Sequence, residues 1–274
     1  MAFDDNTITE ESIARLRNTP DPRLRAIMAS LISHLHAFVR DVEPTPEEWL
    51  KAILFLTAVG QKCDLQRQEF ILLSDTLGVS MLVDSINHQG ATEEVTESSV
   101  LGPFYRPGAP LYKNGDAIYS DTEGEPVTVS GKVFSPDGKP LAKALVDVWQ
   151  TAPNGLYFSQ DGKQKEFNLT GRFHTDADGS YRFVTLLPHS YPIPSDGPVG
   201  DMLKATKRNI FRPAHIHFKV SAPGHREIIT ELYTRDDKFL ESDPVFGVKE
   251  SLKVDYKRTP KGLSLAYDFT LQAE

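Results

Sequence analysis

The chain has 274 residues, with 30 Lys and Arg against 38 Asp and Glu, a net charge of −8 and 39% hydrophobic residues. This globular balance argues against a nucleic-acid partner, whose phosphates need a basic face, and no apolar run approaches the roughly 20 residues of a membrane span. One cysteine, Cys63, excludes an intramolecular disulfide and a Cys-based zinc cluster, and together with the acidic, polar N-terminal stretch it sets a cytoplasmic location as the expectation.

The first third reads as helices. Leu24, Ile27, Leu31, Leu35, Phe38 and Val42 recur at steps of three or four and predict a helix over 21–42, with Asp21 as N-cap and Pro22 in the first helical position. Pro44 ends it. Thr45 and Glu48 have the spacing of a capping box, which opens a second helix from about 46 to 62. A third is expected from near Asp64 toward Leu77 and a fourth over Val79 to Ile86. Near Glu93 the pattern changes, and an irregular Gly/Pro connector follows. Short alternating stretches then predict strands at 127–134, 145–149, 171–175, 180–184, 214–221, 227–233 and 263–271. The expected fold class is α+β: a helical N-terminal domain, 1–96, followed by a β-sandwich, 97–274. A sandwich by itself would equally suit a metal-free binding module.

Chemistry enters at His215-Ile216-His217. Residues two apart on a strand share a face, so both imidazoles can reach one metal while Ile216 turns into apolar packing. Imidazole accepts zinc, copper and iron alike, so the spacing leaves the metal open. Two loops, Trp149 to Tyr157 and Leu187 to Pro194, run off strand ends, and each places a tyrosine, Tyr157 or Tyr191, among glycine and proline.

Taken together, Tyr157, Tyr191, Arg212-Pro213-Ala214-His215-Ile216-His217 and Ser221-Ala222-Pro223-Gly224-His225 resemble the intradiol ring-cleavage dioxygenases, and the resemblance covers nearly the whole chain. Within the catechol 1,2-dioxygenase branch, the stretches Ser99 to Phe104, Tyr191 to Gly200 and Val245 to Lys249 are most similar to hydroxyquinol enzymes, with chlorocatechol and catechol enzymes next. The resemblance implies one Fe(III) per subunit, held by Tyr157, Tyr191, His215 and His217. A hard trivalent ion suits phenolate oxygen and must lower the tyrosine pKa far below its usual ~10. It implies a catecholic substrate cleaved with O2 between its two hydroxylated carbons, Tyr191 as acceptor of a substrate proton and Arg212 as electrostatic stabiliser. It also implies a homodimer through the helical domain, with room for a phospholipid there.

The pocket carried over by the same motifs is Leu72, Asp75, Val100, Leu101, Gly102, Pro103, Phe104, Ile193, Pro194 and Val245. Its apolar members would hold a flat ring, and Asp75 would accept a hydrogen bond from a third ring hydroxyl. One position departs from the pattern. Catechol enzymes carry glutamine fourteen residues after the second histidine, where this chain has Glu231, an acceptor only when ionised. Glu231 is read as a catalytic-site residue that pairs with Arg212. Alternatively it is a carboxylate ligand beside His215 and His217, which would make an Fe(II) oxygenase.

Overall fold

A short helix that the periodicity does not announce, α1 (Ile8–Ala14), precedes the expected ones. In the computed structural model, which describes residues 4–5, 7–64, 67–88, 94–260 and 262–274, α2 covers Pro22–Val42 and α3 Pro46–Gln61. Asp21 Oδ1 accepts the N–H groups of Arg23 (2.8 Å) and Leu24 (3.2 Å), so the predicted cap is made. The capping box forms too: Thr45 N–H donates to Glu48 Oε2 at 2.8 Å and Glu48 N–H to Thr45 Oγ1 at 3.3 Å.

By packing, the chain divides within α3 into residues 1–57 and 58–274. The boundary expected at 96/97 instead follows the change from helix to strand. Glu93, where that change is read, lies outside the described residues.

In the second unit α4 (Glu69–Thr76) begins five residues after Asp64, and α5 (Val79–Asn87) follows. Ahead of the helix, Asp64 Oδ1 accepts Arg67 N–H at 2.7 Å. Twelve strands come next among the described residues: β1 (Pro126–Phe134), β2 (Leu145–Trp149), β3 (Thr170–His174), β4 (Ser180–Leu186), β5 (Tyr191–Pro192), β6 (Phe211–Arg212), β7 (His215–Ser221), β8 (Ile228–Thr234), β9 (Lys253–Val254), β10 (Lys257–Thr259), β11 (Gly262–Ala266) and β12 (Phe269–Thr270). One sheet runs β10-β11-β1-β12 with β4 also on β1, a second runs β3-β2-β7-β8-β9, and β5 pairs β6. The inward residues of the two five-stranded sheets form one core: Val127, Val129, Phe183, Leu263 and Leu265 from the first meet Val146, Val148, Phe173, Ile216, Phe218 and Leu232 from the second. This is the expected β-sandwich.

The single strand expected over 263–271 is broken. Its two pieces, β11 and β12, both run parallel to β1 but contact different parts of it, with Tyr267 and Asp268 between them. Asp268 Oδ1 accepts the Lys132 N–H at 2.7 Å, and Tyr267 N–H donates to Ser130 O at 3.0 Å. The break depends on Gly131, since a Cβ there would lie 1.7 Å from Tyr267 O. Gly131→Ala is expected to cost about 3 kcal/mol or more in urea unfolding, because backbone rather than a flexible side chain must yield. A loss below about 1 kcal/mol would show that the approach of Tyr267 is not fixed.

An unexpected helix, α6 (Pro198–Ala205), follows the second tyrosine loop. It is tied to α4 by Glu69, a fully buried carboxylate whose Oε1 accepts Val199 N–H at 3.2 Å and whose Oε2 pairs with Arg67 at 2.8 Å. A carboxylate at a helix N-terminus meets both its unpaired N–H groups and its dipole.

Candidate metal centre

The β7 alternation places Ile216, Phe218 and Val220 in the core and His215 and His217 on the opposite, outer face of the second sheet. Pairing fixes their neighbours. Trp149 lies across from His217 on one side, and Glu231 and Tyr233 lie across from His217 and His215 on the other. Trp149 stacks on the His217 ring, centroids 4.7 Å apart and planes 9° apart. The β5–β6 pair sets Tyr191 opposite Arg212 and delivers both to the same spot. Tyr157 arrives from the loop after β2 and stacks on Phe104 at 4.7 Å.

Four donor atoms converge there. Tyr157 Oη lies 2.9 Å from Tyr191 Oη and 2.8 Å from His217 Nε2, Tyr191 Oη lies 3.4 Å from His215 Nε2, and the two Nε2 atoms are 3.2 Å apart. Ligands at about 2.1 Å from a shared ion stand about 3 Å or slightly more from each other, so the set has the dimensions of one coordination shell. All four residues are at most 5% exposed. His215 Nδ1 bonds Pro213 O at 2.6 Å, which leaves its Nε2 lone pair toward the tyrosines.

Without a cation the four groups are neutral. Burial, then the neighbouring Tyr191, pushes the Tyr157 phenol well above its ordinary range, and burial raises Tyr191 against the pull of Arg212. Burial and then the Arg212 charge lower His215 to about 4, and burial holds His217 well below the usual imidazole value. Both imidazoles are therefore ready as ligands at neutral pH, and both phenols need a strongly charged cation to give up their protons. The donor set fits a hard, multiply charged metal ion.

His215, His217 and Glu231 also form the one group of three His or acidic side chains, among the described residues, close enough to hold a metal. Glu231 Oε1 lies 3.0 Å from His217 Nδ1, without the alignment of a hydrogen bond, and 3.5 Å from His215 Nε2. Its oxygens are engaged: Arg212 donates to Oε1 from Nη1 (2.7 Å) and to Oε2 from Nη2 (2.9 Å), Ser99 Oγ donates to Oε2 at 2.9 Å, and Tyr233 donates a short bond to the same oxygen. Burial works against its ionisation, but the charge and hydrogen bonds of Arg212 outweigh that and keep the carboxyl well below the usual range. Glu231 thus pairs with Arg212, as read from the sequence, and backs His217.

A cavity of about 20 Å³ opens beside the donors, lined by Leu72, Asp75, Val100, Gly102, Pro103, Phe104, Ile193, Pro194 and Val245 together with Tyr157, Tyr191, Arg212 and His217. That is room for about one water, so a ring enters only as the walls give way. The structure brings every expected pocket residue to this cavity except Leu101. Leu101 is 39% exposed and lines an adjoining cleft of about 380 Å³ with Ile71, Ser80 and Val83, because one backbone step separates it from inward-facing Val100. Asp75 is buried at the junction of cavity and cleft. Burial raises its carboxyl to about 6, against a lowering hydrogen bond from Ser80 and the field of Arg212. A larger cavity of about 690 Å³, lined by Glu94 to Ser98, Arg226 and Thr270 among others, contains none of the four donors.

Ser99, Tyr233, Asp243 and Trp149 also surround the centre without having been singled out. Strand alternation from Glu231 would have placed Tyr233 on the same face. Asp243 lies on a loop with no period to reveal it.

Two buried phenols and two buried imidazoles thus meet beside the cavity, on the outer face of the second sheet, in an arrangement that could hold one metal ion. A family model described as Dioxygenase matches residues 100–273, and one described as Catechol dioxygenase N terminus matches residues 21–94. The chain is 49% identical over 257 residues to a hydroxyquinol 1,2-dioxygenase of a Rhizobium species, covering 93% of this chain and 87% of that one. It is 45% identical over 270 residues to a 6-chlorohydroxyquinol 1,2-dioxygenase of Cupriavidus pinatubonensis, covering 98% of each. The crystal structure of a hydroxyquinol 1,2-dioxygenase from Pseudomonas putida matches with a TM-score of 0.92 at 47% identity, over 98% of this chain and 99% of that one. The chain belongs to the intradiol ring-cleavage dioxygenases, a family of iron enzymes.

Proposed function

We propose that this enzyme cleaves hydroxyquinol (1,2,4-trihydroxybenzene) with O2 between its adjacent hydroxylated carbons, giving 3-hydroxy-cis,cis-muconate and from it maleylacetate. It would do so with one Fe(III) per subunit held by Tyr157, Tyr191, His215 and His217. The observation that carries the metal assignment is the convergence of those four donors within 2.8–3.4 Å of their neighbours. The bound iron would supply a Lewis acid that holds the two adjacent ring oxygens and draws on their electrons, so that the ring can meet O2.

The protein's own groups do the rest. Tyr191 accepts a proton at Oη from an entering substrate hydroxyl. Arg212 Nη1, 3.2 Å from His215 Nε2, donates toward the oxygen on which charge accumulates. Leu72, Val100, Ile193, Pro194 and Val245 flank the ring and keep water out. Asp75, the carboxyl among these walls, accepts a hydrogen bond from the third hydroxyl. Catechol and chlorocatechols lack that hydroxyl and would leave Asp75 unmet.

The apolar stripe of α2, with Leu24, Ile27, Leu31, Leu35, Phe38 and Val42 each roughly half exposed, supports a homodimer through the helical unit and permits a phospholipid chain there. Among the described residues no helix is long and apolar enough to cross a membrane, and the unpaired Cys63 suits a reducing cytoplasm.

The test is steady-state turnover of the purified holoenzyme on hydroxyquinol, catechol and 4-chlorocatechol, side by side. The highest kcat/KM is expected for hydroxyquinol. Equal or faster turnover of catechol or 4-chlorocatechol would move the assignment to those enzymes.

A further inference from the structure

Arg212 is shared by two buried carboxylates. Glu231 takes one edge of the guanidinium, accepting from Nη1 at 2.7 Å and Nη2 at 2.9 Å. Asp243 takes the other, accepting from Nε at 3.1 Å and Nη2 at 3.3 Å. Tyr233 Oη accepts from Nη2 at 3.1 Å. Of the five N–H bonds, the one left free of a carboxylate or hydroxyl is the second on Nη1, and it faces His215 Nε2. A guanidinium clamped on both edges cannot swing about its own chain, so that single donor stays aimed at the ligand set.

Asp243 is itself fixed. Its Oδ2 accepts Gly247 N–H at 2.9 Å. Gly247 passes so near the cluster that a Cβ would stand 2.5 Å from Tyr233 Oη and 3.0 Å from Arg212 Nη2. Arg208 grips the same loop from outside, donating to Pro244 O at 3.0 Å. Val245, between Asp243 and Gly247, forms part of the ring cavity.

The charges do not cancel within the cluster. One guanidinium faces two carboxylates, a net negative charge sealed from water, which is costly unless a countercharge is close. A metal ion held by the four donors would set a positive charge close to this cluster and lower that cost. Resting on the iron reading above, we propose that Asp243 is a positioning residue: with Glu231 it fixes the plane of Arg212 and supplies the surplus negative charge that backs the metal centre. Arg212 then acts on the reaction as one oriented donor and not as a free positive charge.

The experiment loads wild type, Asp243→Asn and Asp243→Glu with iron. It reads iron affinity, the Fe(III)/Fe(II) midpoint potential and the rise in melting temperature on loading. Asp243→Asn removes the charge, so affinity is expected to fall about 10- to 100-fold, the potential to rise and the melting gain to shrink. Asp243→Glu keeps the charge and is expected to hold a potential near wild type. An Asp243→Asn protein with wild-type affinity and potential overturns the inference, as does an Asp243→Glu protein shifted equally far. Should Asp243→Asn fail to fold, Glu231→Gln removes the same charge from the other edge, and an unraised potential there overturns it. A wild type that takes up no iron overturns the metal reading itself. A wild type that loads normally beside an indistinguishable Asp243→Asn overturns this inference alone.

Discussion

Tyr157→Phe is expected to hold iron at least about a hundredfold more weakly than wild type and to lose ring cleavage with it, while folding as before. The substitution removes one oxygen and nothing else. The ring still stacks on Phe104 at the loop after β2, so the packing that positions the loop survives. What disappears is one of two anionic donors, and a trivalent ion left with a single phenolate and two neutral imidazoles carries uncompensated charge in a buried site. Iron content after dialysis at neutral pH, together with melting of the metal-free protein, separates loss of metal from loss of fold. A ferrous centre built on His215, His217 and Glu231 makes the opposite forecast, since it does not use Tyr157. Retained iron and activity in Tyr157→Phe would select that centre.

Asp75→Ala is expected to lower the ratio of kcat/KM for hydroxyquinol over catechol by about 5- to 150-fold, the equivalent of about 1–3 kcal/mol for a hydrogen bond whose buried partner is otherwise left unmet. Most of the change should be loss on hydroxyquinol, with catechol unchanged or improved. Acidity supplies a second signature. With its carboxyl raised to about 6, Asp75 is an ionised acceptor at pH 7.5 and mostly a protonated acid below about pH 6. The wild-type preference should therefore weaken as pH falls through about 6, and the Asp75→Ala ratio should stay flat. Stability moves in the opposite direction. The folded state binds this proton more readily than the unfolded chain, so Asp75 costs stability above about pH 6 and costs little below about pH 4. Asp75→Asn should stabilise by up to about 3 kcal/mol at pH 7.5, and the gain should vanish on acidification. A preference indifferent to both substitution and pH would remove Asp75 from substrate selection.

Much of this site is local in the sequence. The i, i+2 histidines read directly as two ligands on one strand face, and the register then places Glu231 beside His217 without further information. Helix boundaries at Asp21 and Thr45 were legible because capping is a short-range hydrogen bond. What escaped depends on distant chain. The break between β11 and β12 is written in Gly131, more than a hundred residues upstream. Helix α6 is short and owes its anchorage to Glu69, an acidic residue that composition alone would leave in solvent. Leu101 sat inside a matching motif, but a motif does not say which way each of its residues faces. Asp243 is on a loop, where neither alternation nor helical spacing marks a buried carboxylate.

Resonance Raman spectroscopy of the purified protein, with visible excitation and iron determined on the same sample, tests the four-donor iron centre most directly. One iron per chain and enhanced tyrosinate modes are expected, in a coloured protein, with Tyr157→Phe weakening or abolishing them. Iron bound in full occupancy with no tyrosinate enhancement would contradict it, because the phenols of Tyr157 and Tyr191 would then be bystanders to a metal held elsewhere.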